Sequence, residues 1–307
     1  MLTKYLKQQG RLVRRRGRGI SIAGLLVSAT TLSPLAIDHA DAQQGAVSQN
    51  ANSSAATENN GQDFTRPQNL LQLRYIYQTA PGSGSEPGTI RTVTTDREVL
   101  RSDLKIDVVP QWTLALRGDL PLVERNPITP GNPTGDFVGG LGDIDLQAAL
   151  IKTVNARWAT GAAIRIIAPT GAPDLTSSKW QALPIVGVRY MLPELSEGSF
   201  FTGLARYDVS FAGDPSKRNI SNLQIAPTLN IMLPDHWFVT FFPDPDVRIN
   251  YGDPITGQTG RLFLPMDFLV GRDLSKTITI SLEIGVPVIK DYPVYDFKTV
   301  TRLNVKF

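Results

Sequence analysis

Two sets of residues in this chain have the types and spacing that chemistry requires. His236 is the single histidine beyond residue 42, and a Ser–His pair for hydrolysis needs an imidazole as its base. It stands beside an expected short turn, and capping that turn is its plainer role. Asp244 and Asp246 share one side of an extended segment. Their spacing suits paired carboxylates, or a calcium pair completed by carbonyl oxygens. Arg248 lies one step further along the same side, which makes a simple ion pair the plainer reading. With no cysteine and one histidine, no zinc set can form, and no G-x-x-x-x-G-K-[ST] phosphate loop is present. No catalytic, cofactor or metal residue is assigned, and no enzyme is expected. A lipid-modifying barrel enzyme built on His236 is the weakest of three functional readings.

The other charged residues recur with a period of two. TITISLEIGVPV shows it best. Ile278, Ile280, Leu282, Ile284, Val286 and Val288 alternate with Thr277, Thr279, Ser281, Glu283, Gly285 and Pro287. Successive strand side chains point to opposite faces, so one face is apolar throughout and the other is wet. The same alternation puts Arg74, Arg101 with Asp103, Arg117 with Asp119, and Arg165 on polar faces. Further along it adds Arg189, Arg206 with Asp208, Asp246 with Arg248, Arg261, Asp267, Glu283 and Arg302. Ile76, Phe238, Phe242, Phe263 and Leu269 fall on the polar side too, and would offer an apolar path among the charges.

Twelve such segments run from Asn69 to Phe307. Each is about ten to fourteen residues, roughly double the usual strand, and that suits a strand tilted across a bilayer. Short turns near Pro110, Val154-Asn155, 193–198, 234–235 and 273–275 alternate with longer loops at 81–97, 124–140, 169–178, 212–219 and 251–259, with a brief one at 289–292. Trp112, Trp158 and Trp237 each open a segment just after a short turn. Tyr75, Tyr77, Tyr207, Phe211, Tyr251 and Tyr295 fall toward the other end. Two aromatic girdles are what a membrane–water interface selects. The expected fold is all-β, an antiparallel transmembrane β-barrel of about 12 strands.

Residues 1–42 read as a secretory signal: a basic start, an apolar run from Ile20 to Ile37, and Ala40-Asp41-Ala42 as a cleavage site. Without them the 31 basic and 28 acidic residues fall to 24 and 26, a net of −2. The overall basic balance therefore belongs to the leader, and nucleic acid is not an expected partner. Residues 43–68 are polar and poor in large apolar groups, and are expected to be a disordered periplasmic tail, too short for a folded plug. Residues 69–307 form the barrel.

GGLGDIDLQAALI, Gly139 to Ile151, resembles the strand-opening G-x-GD motif of the outer-membrane family named for the meta-pathway of phenol degradation. WQALPIVGVRYMLPE and the final RLNVKF have the same flavour. The resemblance covers most of the chain after residue 42, and its motifs are short and glycine-driven. It implies a porin-like barrel that passes small organic, often aromatic, compounds. That family has no agreed catalytic residues, so only Gly140, Gly142 and Asp143 are carried over. Phe307 is similar to the aromatic last residue that the barrel-insertion machinery reads.

The leading expectation is a passive channel in the outer membrane of a Gram-negative bacterium, exported through a cleaved signal, with the polar-face charges setting selectivity. Its expected partners are outer-membrane lipids, the insertion machinery and small-molecule solutes. The alternative is a closed structural or partner-binding barrel acting through its external loops, 81–97 and 124–140 above all.

Overall fold

The computed structural model describes residues 59–83, 90–128 and 132–307. The expected signal, residues 1–42, lies outside the described residues. Fourteen strand segments follow one another: β1 (Leu70–Ser83), β2 (Ile90–Val109), β3 (Trp112–Arg125), β4 (Val138–Leu141), β5 (Ile144–Thr153), β6 (Trp158–Ala168), β7 (Lys179–Met191), β8 (Phe200–Gly213), β9 (Ser221–Met232), β10 (Trp237–Phe242), β11 (Val247–Asn250), β12 (Leu262–Asp273), β13 (Ile278–Lys290) and β14 (Phe297–Lys306). They make twelve strands, because two strands are interrupted. β4 and β5 both pair with β3, and β10 and β11 both pair with β9 and with β12. Every pairing is antiparallel between sequence neighbours, and β14 closes the cylinder on β1 from Leu70↔Lys306 to Thr79↔Phe297. Closure leaves no sheet edge with unpaired N–H and C=O groups.

The faces are inverted relative to a water-soluble barrel. Along β13, the six apolar residues from Ile278 to Val288 are 37–58% exposed, while Thr279, Ser281 and Glu283 are 6% or less. The same inversion runs round the wall. Leu73, Leu100, Leu146, Val186 and Met266 face outward, whereas Asp119, Gln181, Thr202, Asn222, Asp267 and Asn304 are buried inside. Soluble proteins bury the first group and expose the second.

Four local features differ from the sequence reading. Much of the expected 81–97 loop is strand, because the β-branched IRTVTT stretch begins β2, twenty residues long and paired with β1 and β3. WFVTFFPDPDVRI is not one strand. Pro243 and Pro245 have no N–H to donate, and the chain leaves the ladder between Phe242 and Val247. Of the polar tail, residues 59–68 are folded and enter the barrel. Phe238, Phe263 and Leu269 are wholly buried by packing rather than open to the lumen; the Phe238 ring fills the space where Gly271 has no Cβ.

Candidate functional site

The candidate site is the interior of the barrel, built in three tiers from the short-turn end to the loop end. The first tier is the segment 59–68. Asn59 and Asp63 fold it into a compact knot. Asn59 Oδ1 accepts from the N–H groups of Gly61 (3.0 Å) and Asp63 (3.2 Å), and Asn59 Nδ2 donates to the carbonyls of Asp63 and Arg66. Asp63 Oδ1 accepts from the Thr65 N–H and hydroxyl, and Asp63 Oδ2 from Arg66 Nε at 2.7 Å. These are Asx-type turns, in which side chains satisfy the nearby backbone. Such self-sufficiency lets a polar segment order itself inside a protein without an apolar core. That is why the expected disorder does not hold for these ten residues.

The knot meets the wall through side chains. Asn60 Nδ2 donates to Asn230 Oδ1 at 3.2 Å. Arg66 lies over the Phe200 ring at 6.0 Å. Phe64 sits against two glycines paired across β6 and β7, Gly161 and Gly187. A Cβ on Gly187 would stand 2.7 Å from the Phe64 ring, and one on Gly161 3.5 Å from it. The missing side chains make a slot that the ring fills.

Above the knot is a chamber of about 260 Å³. Arg74, Arg101, Arg117, Arg165, Arg206 and Arg302 line its wall, with Arg66 in its floor; the carboxylates that line it are Asp63, Asp103, Asp244 and Asp246. Two cross-strand pairs are bidentate. Arg101 donates to Asp119 at 2.6 and 2.5 Å, and Arg117 to Asp103 at 2.7 and 2.8 Å. Arg165 instead donates to Gln147, with Asp145 only at 3.9 Å, and Arg74 donates to Gln72. Seven guanidinium groups and four carboxylates line the chamber, and Asp119 and Glu283 stand just behind the lining as partners of Arg101 and Arg302.

The third tier is the inward bulge at 243–246. Lys298 Nζ, 3% exposed, holds Asp244 (2.7 Å), Asp267 (2.9 Å) and Glu283 (2.7 Å) together. Arg302 pairs with Glu283 as well. On the other flank Arg206 meets Asp246. The bulge is thereby clamped between β14 and β8. Over it, Tyr295 packs edge-on to Phe263 at 5.2 Å and donates its hydroxyl to Asp267. Burial, and then the Asp267 charge, raise Tyr295 above the ordinary phenol value, so it stays a donor.

Most of the sequence-derived lumen residues point inward, but they separate into different tiers. Arg74, Arg101, Asp103, Arg117, Asp119, Arg165, Arg206 and Asp246 belong to the chamber and its ion pairs. Asp267, Glu283 and Arg302 belong to the Lys298 cluster. Asp208 is buried beside Gln224 higher up, and Arg248 is half-buried with its Nε unpartnered. Arg189 is at the short-turn end, 3.8 Å from Asp63. Arg261 is not in the lumen. It precedes β12, is exposed, and lies over the Tyr251 ring at 5.8 Å, because strand parity has no meaning outside the ladder. Tyr295 leaves the expected outer girdle for the same reason.

Trp112, Trp158 and Trp237 are the first residues of β3, β6 and β10, and the latter two are exposed on the outer face. His236 ends an exposed one-turn 3₁₀ helix, away from the chamber. In the glycine motif, Gly140 pairs with Val123 in β4, and Gly142 marks the β4–β5 break, where a Cβ would meet Pro121 and Val123 at 3.0 Å. Asp143 accepts from Gly171 N–H, Ser177 N–H and Ser177 Oγ, which fastens the 169–178 loop.

No family model matches this chain, and no curated protein matches it either. Solved structures do. An outer membrane channel from Pseudomonas putida F1 aligns over 81% of this chain and 100% of its own, at 14% identity and a TM-score of 0.64. The chain shares that barrel fold. The NanC porin aligns over 77% of this chain and 98% of its own (13% identity, TM-score 0.46), and the KdgM porin over 78% and 99% (10%, 0.43).

Sequence reasoning missed Phe64, Gly161, Gly187 and the central role of Lys298. NNGQD, with its turn-forming Asn and Asp residues, carried a turn signal. Nothing local indicated which wall the turn would meet.

Proposed function

We propose that this chain is an outer-membrane channel for the passive passage of small organic solutes, with a preference for anions. The observation that carries the reading is the pairing of an apolar outer wall with an arginine-rich, ion-paired inner chamber. Exposed Leu, Ile and Val around the whole cylinder suit hydrocarbon, where only closed barrels and helices satisfy their own backbone. The tryptophans that open β3, β6 and β10 suit the interface at the short-turn end, which we assign to the periplasm. Phe307, 68% exposed, suits recognition by the insertion machinery. The leader at 1–42 and a cleavage site near Ala42 complete the export route.

Inside, rings of side-chain charge tune which ions and polar solutes cross. Arg74 and Arg165 hydrogen-bond to glutamines, with Asp145 standing 3.9 Å from Arg165, and are the residues that would meet a solute anion. The chamber is slightly below the roughly 300–1,000 Å³ of usual small-molecule pockets, which favours small passengers. Phe242, Ile151 and Ile185 give part of its lining an apolar surface, and that supports solutes with an aromatic or aliphatic body.

Planar-bilayer recording of the refolded chain tests the reading. Discrete conductance steps with a reversal potential on the anion side are expected. Liposome swelling with benzoate, an amino acid and a neutral sugar then ranks the solutes. Silent bilayers together with no swelling for any solute would overturn it.

A further inference from the structure

We propose that residues 59–68 are a displaceable stopper for the short-turn end of the barrel, latched by the Phe64 ring in the Gly161–Gly187 slot. The proposal rests on the channel reading for its purpose, but not for its geometry.

Three observations carry it. First, the knot is the floor of the chamber. Asn59, Gly61, Asp63, Phe64 and Arg66 all line the cavity from below. Solute leaving toward the short turns must pass them.

Second, the knot is built to move as a unit. Its hydrogen bonds run mainly within itself, through Asn59 and Asp63. Among the described residues, no backbone hydrogen bond ties 59–68 to a strand. Withdrawal would break no ladder. It would break the Asn60–Asn230 bond, the weak contact of Asn60 Nδ2 with Met232 Sδ at 3.5 Å, the Asp63–Arg189 attraction, the Arg66–Phe200 contact and the packing of the Phe64 ring. Segments with few wall contacts are those that open first.

Third, the wall retains groups that the knot does not use. Arg189 is 5% exposed, and its Nε has no hydrogen-bond partner. Asp63 is 3.8 Å from that Nε, while the same carboxylate bonds to Thr65 and Arg66. The knot is therefore attracted to the wall by charge without being bonded to it there. The slot is the specific element. Gly161 and Gly187 face each other across β6 and β7; a Cβ on Gly187 would intrude on the ring at 2.7 Å, and one on Gly161 would just touch it at 3.5 Å. Such a recess gives the knot one seated position. Removing the ring removes the latch and leaves the barrel wall intact.

The chain has no cysteine, so single introduced thiols report cleanly. Thr65, 4% exposed, is the reporter position. In the refolded full barrel, a maleimide should label Thr65→Cys slowly, and far more slowly than Ser216→Cys in an exposed loop. Adding Phe64→Ala should accelerate labelling at position 65 about three- to tenfold, the range expected for losing a half-buried phenyl ring. In bilayers, Phe64→Ala should raise the open fraction. The pair Asn60→Cys with Asn230→Cys, oxidised, should hold the channel shut until reductant is added.

Equal labelling at positions 65 and 216 in the parent, or no acceleration by Phe64→Ala, overturns the stopper whatever the conductance. Accelerated labelling with silent bilayers upholds the stopper and sinks the channel reading instead. Unchanged labelling with normal conductance does the reverse.

Discussion

Arg206 on β8 reaches Asp246 at the foot of β11, although β9 lies between their strands. Nη2 donates to Oδ1 at 3.0 Å, and Nε lies 2.6 Å from Oδ2 without hydrogen-bond alignment. This contact holds the 243–246 bulge over the chamber from one flank. Asp246→Asn keeps the shape and removes the charge. Single-channel conductance should rise and its noise increase, as the bulge becomes free to swing. An unchanged trace would show that the bulge does not limit the pore.

Lys298 secures the other flank, and its removal should be the most damaging single change inside the barrel. Lys298→Met leaves Asp244, Asp267 and Glu283 facing one another with only Arg302 nearby. Breaking a buried ion pair by deleting one partner costs about 3–5 kcal/mol. Asp244→Asn should cost much less, because Lys298 keeps two carboxylates. Denaturant midpoints of the detergent-folded barrel, read from heat-modifiable gel mobility, would rank the two variants. A larger loss for Asp244→Asn would contradict the arrangement.

Arg74→Gln and Arg165→Gln, alone and together, address selectivity. Both arginines face the chamber bonded to glutamine. Their loss removes positive charge without stranding a bidentate carboxylate partner. Reversal potentials across a KCl gradient should move toward the cation side, most in the double variant, while stability stays near that of the parent. Arg117→Gln should instead destabilise the barrel, since it leaves Asp103 unpaired.

Neighbouring residues on β6 test which face meets lipid. Ile164 points outward at 44% exposure, and Ala163 lines the chamber. Ile164→Lys should cost about 2–4 kcal/mol in lipid-vesicle unfolding, the range for a cation on the lipid face at mid-depth. Ala163→Lys should cost little, because its ammonium enters the polar interior. Equal losses would mean that the two faces are misassigned.

Much of this architecture was legible because alternation is local. A strand such as β13 states its own two faces in thirteen residues, and turn lengths alternate without reference to anything distant. The failures come where parity stops or where the partner is remote. Arg261 and Tyr295 lie outside the ladder, so counting odd and even positions could not place them. In 243–246 the parity survived the break, and Asp244 and Asp246 stayed inward, but the two prolines that mark the break were passed over. Residues 59–68 were misread for another reason. Asn60 meets Asn230, 170 residues away, and composition alone cannot anticipate a surface that exists only once the wall is complete.

The pairing of β1 with β14 bears on how the molecule is made. Gln72 Nε2 donates to Asn304 Oδ1 across 232 residues of chain. The first strand must wait, one edge bare, while the other eleven are synthesised and delivered. Bare edges recruit foreign strands, and distant partners join slowly. Such a chain depends on an escort that keeps it from its neighbours during transit. It should aggregate when that escort is scarce, even though every bond of the finished cylinder is in order.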